Sequence, residues 1–88
     1  MKLKNVLKVM PTACVIDIKV KMRIQKEPIS VYMGKLETLP YNVLREHSES
    51  QVSFIGYGNI SILVDSEERS ERKQGIILIV NEGDNHEL

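Results

Sequence analysis

Residues 14–24 read Cys14-Val15-Ile16-Asp17-Ile18-Lys19-Val20-Lys21-Met22-Arg23-Ile24, and this stretch decides the fold class. Cys14, Ile16, Ile18, Val20, Met22 and Ile24 point one way, while Asp17, Lys19, Lys21 and Arg23 point the other. Strict alternation with a period of two is the pattern of a strand with one buried and one wet face. At ~3.3 Å per residue the strand would run ~35 Å, which is long for a small domain. It is therefore expected to bend and to serve two parts of a rolled sheet.

On the N-terminal side, Leu3, Val6, Leu7 and Met10 fall at helical spacing with Lys2, Lys4, Asn5 and Lys8 between them. Residues 2–10 thus read as a short amphipathic helix that Pro11 stops. A helix of ~9 residues is marginal alone and must pack on something. Its apolar face is too small to anchor the chain to a membrane, and no apolar run approaches the ~18–20 residues of a span.

On the C-terminal side, Lys26-Glu27-Pro28 turns the chain into a second strand, residues 29–36, with Ile29, Val31 and Met33 on one face and a phase slip at Gly34. Pro40 at a first helical position, followed by Val43 and Leu44, gives a short helix ending near His47. A third strand follows at 51–57. Gly58-Asn59 has hairpin-turn chemistry and leads into a fourth strand at 59–65. Residues 66–74, SEERSERKQ, carry six charges and nothing to bury, which is the composition of a flexible connection. Ile76 to Val80 is a continuous apolar run, so it is expected to be covered on both faces, centrally in the sheet or at a subunit contact. Residues 83–88 form a polar tail. The sum is an α+β, β-dominated domain spanning 1–88: an N-terminal helix and about five mainly antiparallel strands in a rolled sheet, with one short helix between strands two and three.

The chain has 88 residues, 42% hydrophobic and 27% charged, and twelve basic residues balance twelve acidic ones. This is globular composition for one small core. Zero net charge argues against a bulk coater of nucleic acid or an acidic mimic of it. One cysteine excludes an internal disulfide framework, and there is no signal-peptide h-region, so a cytoplasmic protein is expected.

No catalytic set or metal spacing stands out, and no cofactor is implied. Cys14 sits on the buried face of a strand, where a thiol is inert packing. His47 at a helix end is favourable for the helix dipole, and His86 lies in the tail. Glu67, Glu68 and Glu71 lack metal-loop spacing.

Charge placement is more informative. Residues 1–44 hold eight basic and three acidic side chains, a balance of plus five, and residues 45–88 hold four and nine, or minus five. Complementary halves, together with an apolar strand in need of cover, favour a homo-oligomer. Lys19, Lys21 and Arg23 share one wet face at a spacing of ~6.5–7 Å, near that of successive phosphates. Tyr32 on the neighbouring strand offers a stacking ring, and Tyr41 and Arg45 are candidate neighbours. The plainer reading is a solvated face whose lysines pair across strands with Glu27, Glu37 or Glu82.

The stretch Val31-Tyr32-Met33-Gly34-Lys35-Leu36, then Leu39-Pro40-Tyr41-Asn42-Val43-Leu44-Arg45, a strand from Val52 and the run Ile76–Val80 resemble small uncharacterised proteins encoded by phages and prophages of Gram-positive bacteria. Such proteins also open with a short lysine- and leucine-rich helix. The resemblance implies a setting but carries over no active-site residues. In that setting a non-catalytic, counter-defence binding protein is expected, which sequesters a nucleotide-type immune signal or blocks a bacterial defence protein. The alternatives are a small nucleic-acid-binding or regulatory module and a phage structural or interaction protein. Few aromatics weigh against the first of these.

Overall fold

The computed structural model describes residues 1–64 and 69–82. Its elements are helix α1 (Leu3–Lys8), strand β1 (Val15–Met22), strand β2 (Ile29–Lys35), a 3-10 turn (Leu36–Thr38), helix α2 (Tyr41–His47), strand β3 (Gln51–Val64) and strand β4 (Arg69–Glu82). The strands form one sheet in the order β2-β1-β4-β3. The fold is β-dominated α+β, as the alternation in residues 14–24 implies.

One face of the sheet carries the main core. Ile16, Ile18 and Val20 of β1 lie beside Ile76, Leu78 and Val80 of β4, and Leu3, Val6 and Leu7 of α1 close over them. Fully burying a side chain such as Ile18 or Leu78 contributes about 1.5–3 kcal/mol, which offsets the cost of ordering a helix as short as α1. Four backbone bonds fix the N-terminus. Leu3 N–H donates to the Ser50 carbonyl (2.9 Å), Lys4 N–H to that of Ser48 (3.0 Å) and Val52 N–H to that of Met1 (2.8 Å), while Asn5 N–H bonds Lys2 within the first turn. The first N–H groups of α1, which have no partner inside a helix, are thereby satisfied by the α2–β3 connection.

Several expectations are corrected. Four strands replace five, because Gly58 and Asn59 do not turn: they continue β3 in register with Gly75 and Gln74. The charged segment is strand from Arg69 onward, and only residues 66–68 of it lie outside the described residues. There β3 and β4 extend past the end of β1 as a two-stranded ribbon in which residues 71–74 stay exposed, so charged side chains such as Arg72 and Lys73 are tolerated in extended backbone. The sheet is mixed, since β1 and β4 run parallel. The register slip in β2 falls at Val31, opposite Ile18 and Lys19, whereas Gly34 lies in regular register with Ile16. As a result Tyr32 shares the helix-covered face with Ile18 and Met33 the opposite face with Asp17, while Ile29 lies beside Val20; Ile29, Val31 and Met33, expected to be buried, are exposed. Strand β1 ends at Met22, so Ile24 lies in the turn beyond it, 93% exposed. Residues 83–88, with His86, lie outside the described residues.

The sheet does not stay flat. Residues Ser61 and Ile62 of β3 share a groove with β2, although two strands separate β3 from β2 in the sheet order. Ile60 is buried on the face away from the helices. At the bend, a Cβ on Gly75 would lie 2.4 Å from the Val15 carbonyl oxygen and 2.6 Å from Ile60 Cδ1, so only glycine permits this approach.

Candidate functional site

The six residues singled out in the sequence do not converge. Lys19 and Lys21 lie on the sheet face opposite the helices, because they alternate with Ile18 and Val20. Arg23 is exposed just past β1. Tyr41 and Arg45 are exposed on α2, across the sheet from the lysines.

The expected wet face of β1 is not wet at Asp17, which is 5% exposed. Its Oδ2 lies 3.1 Å from Lys19 Nζ, and its Oδ1 accepts a hydrogen bond from Ser30 Oγ at 2.8 Å. Lys19 also donates to Ser30 Oγ at 3.0 Å. Lys21 donates to the carbonyls of Met22 and Gln25. Both ammonium groups are thus engaged within the chain, which leaves little of the phosphate-spaced row that alternation suggested.

Tyr32 is held in another way. Its hydroxyl donates to the Lys35 carbonyl at 2.6 Å and lies 2.6 Å from Thr38 Oγ1, with the ring packed at the margin of the main core. Tyr32 belongs to the groove between β2 and β3, of about 540 Å³ and open to solvent. Consecutive residues 30–35 line one side, and Thr38, Ser61 and Ile62 complete it. Because neighbours on a strand point to opposite faces, a run of six consecutive lining residues means that the groove follows the free edge of β2. The lining offers hydroxyls at Ser30, Tyr32, Thr38 and Ser61, apolar surface at Val31, Met33 and Ile62, and one ammonium at Lys35. Among the described residues that line it there is no carboxylate. Sequence reading missed this groove because β2 and β3 come together only through the bend of the sheet.

A second cleft, of about 430 Å³, lies between α2 and strands β1 and β2. Apolar Val20, Met22, Ile29, Val31 and Val43 form its walls, and His47 and Glu82 stand at its polar end. His47 is buried, with Nδ1 2.6 Å from Glu82 Oε2, and Ser50 Oγ donates to the same carboxylate oxygen. Sequence placed His47 at a helix end, where it is, but not against a carboxylate 35 residues away. The arrangement is a structural clamp of α2 to the end of β4. Ser50 points to Glu82 rather than to the imidazole, so it is not a nucleophile–base pair.

Among the described residues no group of three His, Cys, Asp or Glu side chains is placed to hold a metal ion, and no helix is long and apolar enough to cross a membrane. No family model, curated protein or solved structure matches this chain.

Proposed function

We propose that the chain is a non-catalytic binding protein that sequesters a small, phosphate-bearing ligand of nucleotide type, in the counter-defence setting implied by its resemblance to small phage and prophage proteins. One observation carries this reading: the groove along the edge of β2 combines an ammonium, hydroxyls and apolar side chains, with no carboxylate among the described residues that line it. Lys35 supplies the charge for a phosphate, Ser61 supplies a hydroxyl donor, since the O–H groups of Ser30, Tyr32 and Thr38 already donate within the chain, and Val31, Met33 and Ile62 supply surface for a base. The basic group in this reading is Lys35, in place of Lys19 and Lys21, whose ammonium groups are already engaged. Tyr32, which the sequence placed beside Lys19 on the wet face, lines this groove instead, and in this reading it borders the ligand there.

Native mass spectrometry of the purified chain with a panel of cyclic and linear nucleotides tests the proposal. The expected result is a discrete assembly that gains one ligand mass per groove, loses it in Lys35→Glu and keeps it in Lys21→Glu. A chain that ignores the whole panel overturns sequestration and turns the search to blockade of a defence protein.

A further inference from the structure

Strand β3 is an edge strand of 14 residues, and between Gln51 and Val64 it contains no Asp, Glu, Lys or Arg, in a chain that is 27% charged. Edge strands of stable monomers are normally guarded by charges, prolines or bulges, since their open backbone groups pair readily with another strand. Among the described residues, this one is guarded only at its two ends. Met1 and Lys2 cover the first end, through the Lys2–Gln51 bridge and the Val52 N–H to Met1 carbonyl bond, and an extra residue at Ser53 then breaks the register. Toward the other end, Ile60 is buried and Ser61 and Ile62 turn to β2. Between them, Phe54, Ile55 and Tyr57 are 50%, 55% and 83% exposed.

We infer that this segment is the interface of a symmetric dimer, in which β3 of one chain pairs antiparallel with β3 of a second copy about a two-fold axis at Gly56. The occupant follows from the sequence of the edge. Antiparallel pairing about Gly56 sets Ile55 opposite Tyr57 of the other copy, twice by symmetry, and these residues already share one face of the sheet. An aromatic opposite a β-branched residue is a favourable cross-strand pair. The same register sets Phe54 opposite Gly58, where no side chain competes for space. No charges meet, so two identical edges suffer no like-charge repulsion. The Ser53 irregularity and the covered Gln51–Val52 backbone limit the pairing to the segment that is open. A two-fold contact also satisfies the rule that one patch must complement itself. This inference does not depend on the nucleotide reading, because it involves neither Lys35 nor the β2 edge.

Sedimentation across a dilution series tests it, with circular dichroism to confirm folding. The wild-type chain is expected to dimerise reversibly, and Ile55→Lys/Tyr57→Lys, which alters two exposed side chains, to stay monomeric at the same concentrations. Register is tested separately with Cys14 replaced by serine. Ile55→Cys/Tyr57→Cys should form an intermolecular disulfide on mild oxidation. Either cysteine alone should not, because its symmetry mate lies two residues along the partner strand, beyond the ~7 Å that a disulfide spans between Cα atoms. A wild-type chain that is monomeric throughout overturns the inference and leaves the edge for a different protein. So does a dimer that survives the lysine pair and fails to cross-link.

Discussion

Asp17 and Lys19 stand two residues apart on the same face of β1 and pair with each other, Oδ2 to Nζ at 3.1 Å, with the Asp17 side chain almost wholly out of solvent. A carboxylate so placed needs its partners, and Ser30 Oγ provides the second. Asp17→Ala should therefore destabilise the fold by about 1–3 kcal/mol, through the lost bonds and the unpaired groups left behind. Asp17→Asn, which retains an acceptor for Ser30, should cost less. Urea denaturation of the three proteins gives the ranking. Equal midpoints would mean that the network contributes nothing.

Gly75 is the tightest backbone approach at the bend. Gly75→Ala would push a methyl group against the Val15 carbonyl, which belongs to the β1–β4 neighbourhood and has little room to move. We expect a loss of about 1–3 kcal/mol, which in a domain of this size lowers Tm by roughly 4–24 °C. Trimming the other contact, in Gly75→Ala/Ile60→Val, should recover only part of the loss. Full recovery would place the conflict at Ile60 instead of the carbonyl.

Local pattern carried the reading as far as local forces decide the structure. The alternation from Cys14 to Val20 and the helical spacing of Leu3, Val6 and Leu7 both survive, because each reflects a single buried face. The failures arise where long-range pairing overrides local preference. Gly58-Asn59 favours a turn, yet Gly75 and Gln74 opposite hold it extended. Parallel pairing of β1 with β4 leaves no local mark, so neither the mixed sheet nor the groove at the bend was legible. Tyr32 illustrates the site: a one-residue slip at Val31 moves it to the other face from Lys19, and no composition or spacing announces that slip.

Glu82 clamps α2 by accepting from Ser50 and meeting His47 Nδ1. Glu82→Ala leaves a buried imidazole without its partner, at an expected cost of about 1–3 kcal/mol. Because Leu44 and Val43 sit on the same helix, loosening should be local first. Hydrogen exchange should quicken in residues 41–47 while the β1–β4 amides stay protected. Uniform acceleration across the sheet would show that α2 is part of the global unfolding unit and not a separate one.

Glu49 offers a test by pH. Hydrogen bonds from Lys2 and Lys4 lower its carboxyl from 4.5 to about 2; desolvation opposes them, and the charges of the two lysines add a lesser lowering. The pair of lysines belongs to the N-terminal segment that packs on the core, so protonating Glu49 releases one tie between that segment and the α2–β3 connection. The folded-state value is depressed, so the unfolded chain takes up the proton first as pH falls. The stabilisation is therefore complete above pH 4.5 and is lost progressively between 4.5 and about 2. Since the carboxylate is exposed, the effect will be small and weakened by salt. Glu49→Gln should be slightly less stable than wild type at pH 7 in low salt, with the two stability curves converging as pH approaches 2. A constant offset down to pH 2 would mean that the substitution acts through packing, and that the ion pairs with Lys2 and Lys4 do not hold the N-terminus.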